Sequence, residues 1–347
     1  MDDAPVSMVP LDEVRGHLAD LEPPADGVPR EPVMFVDLST PTAGAAAVEA
    51  AIRSAEIVAV GVVRSAVSPE LYGILDALTF SLTPERTSDR TCVTVTDVAP
   101  AARRFREAVT ASPKAALAMR RLVEVTDRLP VRQGLAVESA VYSMLLAGGE
   151  FAEWRAAHER RDVPVPDSDA VSLERVGDEL RIRLDMPQRR NAYSRHVRDG
   201  LVDALDLALT DDTIERVVLT GAGPAFCSGG DLDEFGGSAD VSAAHLVRLQ
   251  RNAASRVHAL EERMEVRLHG ACIGAGIEIP SFAARVLARE DTVIALPELA
   301  MGLVPGAGGT VGITRRIGRW RCAWLHLAGE RIGVDVALDW GLVDERG

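Results

Sequence analysis

Residues 225–310 organise this chain, because three loops of small residues and two glutamates fall within them. The loops read AFCSGGDL at 225–232, GACIGAGIE at 270–278 and PGAGGT at 305–310. Residues of this size let backbone N–H groups come close to a ligand. Glu278 ends the second loop and Glu298 follows Pro297 a little later, so both are candidates for acid/base work beside these loops.

Composition and charge narrow the class of protein. The chain has 347 residues, which is enough for two domains on the usual prior. Its hydrophobic content of 47% and charged content of 26% are typical of a soluble globular protein. A net charge of −14 argues against a nucleic-acid partner and against an anionic membrane surface. The sequence has no signal-peptide pattern and no long apolar run, so we expect a cytoplasmic protein.

Several common sites are absent from the sequence. Cys92, Cys227, Cys272 and Cys322 lack CxxC spacing, which argues against a zinc site and favours small buried residues over reactive thiols. The PGAGGT loop does not match the phosphate-binding pattern GxxxxGK[ST]. The second loop does not complete GxGxxG, because position 279 is isoleucine. We therefore predict no metal and no nucleotide fingerprint.

The first half of the chain alternates strand and helix patterns. Residues 1–30 are rich in proline and acidic residues and predict a flexible arm, with a helical turn or two near residues 11–21. The unit that follows, 31–160, begins as a parallel sheet and ends as a helical tail. Its predicted elements are strands at 33–38, 57–63 and 91–96 and helices at 42–55, 71–82, 101–109, 113–126 and 133–146. Residues 161–169 have the composition of a linker.

The pattern restarts in residues 170–347. A predicted hairpin and helix lead to a buried strand, which runs directly into the first loop. The predicted elements are strands at 171–176, 180–184, 216–220, 266–268 and 292–295 and helices at 193–209, 243–261, 276–288, 310–317 and 320–327. Both halves are therefore of the α/β class.

The first two loops each follow a strand and open a helix. The amide of Gly230 and a second amide within 274–276 then lie near helix N-termini, where they favour an oxygen that gains negative charge. Two donors on one oxygen form an oxyanion hole, and one donor can lower a barrier by about 3 kcal/mol. The alternative is that these glycines only permit tight turns and that each glutamate is a surface or capping residue.

Residues 170–347 resemble the enoyl-CoA hydratase/isomerase (crotonase) superfamily. The resemblance is carried by six segments in order: 190–192, 225–232, 270–278, 296–298, 302–310, and 327–331 with 341–343. It implies a spiral of ββα turns that binds an acyl-CoA thioester, with coenzyme A as part of the substrate and no separate cofactor. It also implies a homo-oligomer, a trimer or hexamer, or a pairing with another crotonase.

The resemblance assigns roles to individual residues. The amides of Gly230 and Ala275 would hold the thioester oxygen of an enolate, and Glu278 and Glu298 match the two glutamates of the family's hydratases. The family has glycine where this chain has Ala275, which a backbone donor tolerates when φ is negative. The coenzyme A contacts map to a second group, namely Arg190, Asn191, Ala192, Asp231 and Leu232.

The resemblance also extends, in a different order, to the first half. Family members continue beyond the GLV motif, here at 341–343, as helices that cover the active site and help the protein to trimerise. Residues 100–160 resemble that tail, through SPKA at 112–115 and GLAVES at 134–139. Residues 33–97 resemble a degenerate core without the loops or glutamates. We therefore expect a catalytic core that lacks its usual C-terminal helices, with helices 100–155 packed over its site.

Four functions remain open at this stage. The first is an enoyl-CoA hydratase or dehydratase, a hydro-lyase of fatty acid metabolism, with Glu298 acting at the α-carbon and Glu278 activating the water. An enoyl-CoA isomerase needs only one carboxylate. The run at 297–309 also resembles the dihydroxyphenylacetyl-CoA dioxygenase branch. Finally, the degenerate half is consistent with an acyl-CoA-binding pseudoenzyme or scaffold subunit.

Overall fold

Parallel β-sheets organise both halves of the protein in the computed structural model, which describes residues 6–21, 25, 27–40, 42–161 and 169–347. The strands of the first half are β1 (Val9–Pro10), β2 (Val33–Asp37), β3 (Val58–Val62), β4 (Phe80–Thr83) and β5 (Cys92–Thr94). Those of the second half are β6 (Val171–Val176), β7 (Glu179–Leu184), β8 (Arg216–Gly221), β9 (Met264–Leu268), β10 (Ala271–Ile273), β11 (Arg285–Ala288), β12 (Val293–Ala295), β13 (Ile332–Gly333) and β14 (Glu345–Arg346).

Helices connect and cover these strands. Those of the first half are α1 (Val14–Ala19), α2 (Ala45–Ser54), α3 (Tyr72–Ala77), α4 (Val98–Ala111), α5 (Pro113–Thr126), α6 (Val131–Leu146) and α7 (Gly149–Ala157). Those of the second half are α8 (Arg195–Thr210), α9 (Val241–Gln250), α10 (Ala253–Ala259), α11 (Ala275–Glu278), α12 (Gly309–Ile317), α13 (Arg319–Leu327) and α14 (Val334–Trp340). The chain is therefore an α/β protein, as the sequence predicts.

The first half is a five-stranded sheet in the order β1-β2-β3-β4-β5, and every pair is parallel. All of β3 and most of β2 are buried, because a parallel sheet is covered on both faces. Two predictions need correction here. The described part of the arm, 6–21, contains the short helix expected there, α1, but it is not loose: β1 pairs with β2, and Leu11 and Val14 are fully buried. The helix predicted at 71–82 ends at Ala77. The strand β4 follows it and lies between β3 and β5 in the sheet. Most of the predicted linker, at 162–168, lies outside the described residues.

The second half carries a six-stranded sheet in the order β14-β11-β9-β8-β7-β6 and a three-stranded sheet in the order β10-β12-β13. The hairpin β6–β7 is antiparallel, and the chain then adds parallel strands on one side. From β9 to β12, consecutive strands alternate between the two sheets, and helices follow β10, β12 and β13. This is a spiral of ββα turns, which is the fold that the sequence resemblance implies.

Two predicted helices of the second half are wrong in extent. The helix expected at 243–261 is broken after Gln250, because Asn252 caps a new helix by accepting a hydrogen bond from the amide of Ser255. The helix expected at 276–288 ends at Glu278. Pro280 starts a single 3₁₀ turn, and β11 then begins at Arg285. Proline cannot continue a helix interior, so the chain re-enters the sheet early.

The layer α4–α7 (residues 98–157, hereafter the lid) packs on both sheets at once. One continuous apolar core includes Phe35 and Phe80 of the first sheet, Phe105 of the lid and Val266 of the second sheet. A hydrogen bond also connects α13 to the first sheet, because Arg321 donates to the carbonyl oxygen of Cys92 at 3.4 Å. The lid is therefore an integral part of the fold of the second half.

Candidate functional site

The loop at 225–232 is held in place by Asn191. Its side-chain Oδ1 accepts from the amide of Met186 at 2.8 Å, and its Nδ2 donates to the carbonyl oxygens of Ala222, Ala225 and Phe226 at 2.9, 2.9 and 3.1 Å. Asn191 is fully buried and has a positive φ of 52°. Asparagine tolerates this left-handed conformation better than most residues. The side chain therefore fixes the loop and does not face a ligand.

The first two loops lie backbone to backbone. The amide of Cys227 donates to Ala271 at 3.1 Å, and the amide of Ile273 donates back to Cys227 at 3.0 Å. Beyond this bridge stand the amides of Gly230 and Ala275, and neither donates a hydrogen bond to any described residue. Gly230 is half-buried, and Ala275 is buried at the first position of α11, where an amide has no intrahelical partner. Both amides are therefore available to an acceptor that a ligand supplies.

The two predicted glutamates converge on the same place. Gly274 has φ of +50°, and a Cβ there would lie 2.6 Å from Oε1 of Glu298 and 3.6 Å from Oε1 of Glu278. It would also lie 3.7 Å from the Cα of Gly229, which precedes the free amide of Gly230. Only glycine fits this conformation and this space. The sequence-predicted acids and amides therefore surround one point.

The third loop, 305–310, binds the carboxylate of Glu278. Oε2 of Glu278 accepts from the amides of Ala307 and Gly309, at 2.7 and 3.0 Å. The PGAGGT sequence is thus an anion-binding loop, but the anion is a side chain of the protein itself. This contact fixes one oxygen of Glu278 and leaves the other, Oε1, directed toward Gly274.

Burial raises the pKa of both carboxyl groups. The pKa of Glu278 rises to about 7, although the backbone amides that hold it favour its charged form. The pKa of Glu298 also rises well above its ordinary value, because of burial and then the charge of Glu278. Its Oε2 is buried and has no hydrogen-bond partner in the described part of the chain. Near neutral pH the arrangement favours an ionised Glu278 beside a protonated Glu298, which is an acid and a base in one site.

The lid adds a third buried carboxylate that the sequence analysis did not identify. Glu138 of α6 accepts from the amides of Gly308 and Thr310, at 2.7 and 2.8 Å, and from the Thr310 hydroxyl at 2.6 Å. Burial and then the charge of Glu278 raise the pKa of Glu138 to about 8. The lid therefore holds, from its other side, the loop that binds Glu278. This confirms the prediction that the helices of residues 100–155 pack over the Glu278–Glu298 region.

These groups open into a cavity of about 960 Å³. The amide-bearing loops supply Gly230 and Ala275, and Glu278 and Glu298 lie in its wall. The lid contributes further lining residues, namely Tyr142, Leu146, Phe151, Ala152, Arg155 and Ala156. The site is thus built by both halves of the chain.

The predicted coenzyme A contacts are only partly on this cavity. Asp231 lines it, buried and paired with Arg189 at 3.0 Å. Leu232 is exposed but is outside the lining, and Asn191 is buried elsewhere, as described above. Arg190 and Ala192 are also outside the lining, and the carbonyl of Arg190 accepts from the amide of Ser228 at 3.0 Å. The cavity is also lined by arginines that the sequence analysis did not single out, namely Arg155, Arg195, Arg198, Arg248 and Arg251.

All four cysteines are buried, as the sequence predicts. Burial raises the pKa of the Cys227 and Cys322 thiols to about 12. No group of three metal-binding side chains occurs among the residues that the structure describes. Within the same residues, no helix combines the length and apolar character needed to span a membrane.

Comparison with known proteins agrees with this geometry. The family model for enoyl-CoA hydratase/isomerase matches residues 179–346. The 2,3-dehydroadipyl-CoA hydratase of Escherichia coli (strain K12) is 33% identical over 166 residues, covering 48% of this chain and 64% of that protein. The "probable enoyl-CoA hydratase" of Bacillus subtilis (strain 168) is 32% identical over 156 residues, or 44% of this chain and 60% of that protein.

A solved structure of an enoyl-CoA hydratase from Thermoplasma volcanium GSS1 is 33% identical, covers 52% of this chain and 72% of that chain, and has a TM-score of 0.48. The chain spans about three fifths of the length of the curated relatives it matches. The family model begins at residue 179 and leaves the first half unassigned. Residues 179–346 form a domain of the enoyl-CoA hydratase/isomerase, or crotonase, superfamily.

Proposed function

We propose that this protein is an acyl-CoA enzyme that stabilises a thioester enolate, and that it adds water to a 2-enoyl-CoA or removes it again. The observation that carries this proposal is the meeting of Glu278, Glu298 and two unpaired amides around Gly274. An oxyanion hole needs two donors, and hydration needs both a base and an acid. All four groups border the same cavity.

The roles follow from the protonation states. The amides of Gly230 and Ala275 would receive the thioester oxygen as it gains charge. Ionised Glu278 would take a proton from water as the water oxygen bonds to the β-carbon. Protonated Glu298 would give its proton to the α-carbon, which completes addition of H and OH across the double bond. Dehydration reverses each step, with Glu298 taking the α-proton.

An isomerase would move one proton between two carbons and needs one carboxylate. A second carboxylate, that of Glu278, favours hydration. The amides of Ala307 and Gly309 hold one of its oxygens, and the other is directed toward Gly274. Assay of a 3-enoyl-CoA alongside the 2-enoyl-CoA separates the two activities directly.

The test is turnover of crotonoyl-CoA by the wild type, Glu278→Gln and Glu298→Gln. Loss of an acid or base costs about 100- to 10,000-fold in rate, so both variants should be nearly inactive while still binding the thioester. Isomerase activity that survives in Glu278→Gln would instead favour the isomerase. Binding without turnover in the wild type would make the protein a pseudoenzyme.

The first half is best interpreted as a degenerate crotonase-like copy joined to the lid. In support, β2–β5 add in sequence order as parallel neighbours, and β7, β8, β9 and β11 do the same in the second half. Its role in the proposed function is structural, since Glu138 of the lid clamps the loop that holds Glu278.

A further inference from the structure

Arg248 is a charged group in the wall of the cavity that the proposed hydration does not use. It lies on α9, within the segment between the first two loops, and it borders the same cavity as Glu278 and Glu298. Its Nε donates to the hydroxyl of Ser139 at 3.1 Å, and its Nη2 donates to the hydroxyl of Ser143. Both serines belong to α6 of the lid.

These contacts hold the guanidinium in one orientation. Ser139 accepts from Arg248 and is also 2.9 Å from Nδ1 of His245, so its own hydroxyl proton is available to that nitrogen. The guanidinium carbon stands 4.8 Å from the centre of the Tyr142 ring, a cation–π distance. The side chain is thus prepositioned by three residues of the lid, and Nη1 has no partner among the described residues.

Arg248 has no carboxylate at ion-pair distance among the described residues, unlike its neighbours. Arg251 pairs with Asp199 at 3.1 Å and Asp203 at 2.7 Å, and Arg256 pairs with Asp206 at 2.7 Å. Burial lowers the pKa of Arg248 from its ordinary value. Glu138 acts on this charge only at longer range. Because the guanidinium rests on neutral hydroxyls and contacts no described carboxylate, a ligand's anion can pair with it directly.

The position of Arg248 points to the acyl end of a substrate. Tyr142, on which the guanidinium stacks, also packs against Gly306, where an added Cβ would meet the ring at 2.6 Å. Gly306 belongs to the loop 305–310 that holds Glu278, the group assigned above to the water that attacks the β-carbon. Arg248 therefore lies on the side of the cavity formed by this loop, and an acyl chain extended past the β-carbon on this side would be directed toward it.

We propose that Arg248 binds a carboxylate at the far end of the acyl chain, an inference that rests on the proposed function. The substrate is then the coenzyme A monothioester of a 2-enedioic acid. The terminal N–H groups of a guanidinium form two parallel hydrogen bonds with a carboxylate, which fixes the length and direction of the chain. Because Ser139 and Ser143 orient Arg248, the lid takes part in substrate selection.

The test compares binding of saturated, unreactive thioesters by calorimetry. Dicarboxylic monothioesters of four to eight carbons are paired with monocarboxylic thioesters of equal length. We expect the wild type to bind at least one dicarboxylic member about 10- to 100-fold more tightly than its partner. Arg248→Gln should abolish this difference, and Arg248→Lys should retain part of it. The control Arg256→Gln, which removes a paired arginine outside the cavity lining, should leave the difference intact.

A wild type without preference for any dicarboxylic member overturns the proposal, and this comparison stands even if the variant does not fold. Equal loss of both ligands in Arg248→Gln also overturns it, because that result means a packing role. A separate assay measures turnover of the matching 2-enoyl and 2-enedioyl thioesters, so that binding and hydration are tested independently. Preferential binding without hydration in the wild type would reject the hydratase and keep the carboxylate site.

Discussion

Glu138 accepts two hydrogen bonds from Thr310, one from its backbone amide at 2.8 Å and one from its hydroxyl at 2.6 Å. These two residues join the halves of the chain. With the amide of Gly308 as a third donor, the lid carboxylate caps the N-terminus of α12. The preceding loop holds Glu278 from the other side. A helix of the first half therefore determines the position of a candidate catalytic group in the second.

Removal of this clamp should destabilise the whole protein. Glu138→Ala leaves two buried amides and a hydroxyl without an acceptor, so we expect the free energy of unfolding to fall by about 3 to 5 kcal/mol. Glu138→Gln keeps one acceptor oxygen and should cost less. Urea unfolding of the full chain measures both. The control Glu153→Ala removes an exposed carboxylate of α7 and should change little. Equal effects of Glu138→Ala and Glu153→Ala would show that the clamp does not stabilise the fold.

The pH dependence of hydration should be bell-shaped. Activity should rise as Glu278 ionises, near pH 7, because its ionised form is the base. It should fall again at higher pH as Glu298, whose pKa is raised well above its ordinary value, loses the proton that it must donate. The profile of kcat/KM on crotonoyl-CoA measures both limbs.

Glu138→Gln gives this profile a sharper test. The charge of Glu138 contributes to the raised pKa of Glu298, whereas the pKa of Glu278 is raised by burial. Removing that charge lowers the pKa of Glu298, so the basic limb should move to lower pH while the acid limb stays. A shift of the acid limb alone would contradict the assignment of the two glutamates.

Gly274 should be irreplaceable for activity but not for folding. Alanine there adds a Cβ 2.6 Å from Oε1 of Glu298 at a φ of +50°. A displacement of about 1 Å in a catalytic group can cost about 100-fold, so we expect at least that loss in kcat/KM. Gly329 is the matched control, because its φ is +60° and a Cβ would meet nothing within 4 Å. Gly329→Ala should cost about 1 to 2 kcal/mol of stability from backbone strain and leave kcat/KM unchanged. Similar activity losses in both variants would mean that strain, and not the clash, is the cause.

Much of the fold and of the site centre could be predicted from the sequence, because strands, glycine loops and acids are local patterns. On α6 the apolar pattern gives only part of the buried face. Leu135 and Leu145 are buried as the pattern predicts, but Met144 is 58% exposed, and Glu138, Ser139 and Tyr142 are buried as well. Apolar periodicity finds the side of a helix that faces a core. Glu138 and Ser139 on the buried side of α6 are polar, so that criterion does not detect them.

Long-range partners explain the remaining differences. Glu138 meets Thr310 across 172 positions of the chain, and nothing in either local sequence indicates the other. The family resemblance implies a coenzyme A contact for Asn191, but the four hydrogen bonds of its side chain all go to the protein backbone. Such a role depends on tertiary geometry, which spacing alone does not give.

Asn191 offers a test that separates a structural role from a ligand contact. Asn191→Ala removes four buried hydrogen bonds and should lower the free energy of unfolding by about 2 to 4 kcal/mol. Asn191→Asp keeps the acceptor for Met186 but directs its second oxygen at three carbonyl oxygens. The folded-state pKa of that aspartate would then lie above its unfolded value of about 3.9. A raised pKa gives stability that is present below the unfolded pKa and is lost as the pH rises through the folded pKa.

The stability gap between wild type and Asn191→Asp should therefore widen from pH 4 to pH 8, while the gap for Asn191→Ala stays nearly constant. Urea unfolding at both pH values measures the two gaps. Asn252→Asp is the matched control, because Asn252 acts through an oxygen that accepts from Ser255 at 2.8 Å, and aspartate caps a helix as well as asparagine does. If Asn191→Asp kept full stability at pH 8 and lost only affinity for an acyl-CoA, the side chain would be a ligand contact after all. The described geometry favours the structural role, because the Asn191 side chain is completely buried and its four hydrogen bonds all go to the backbone.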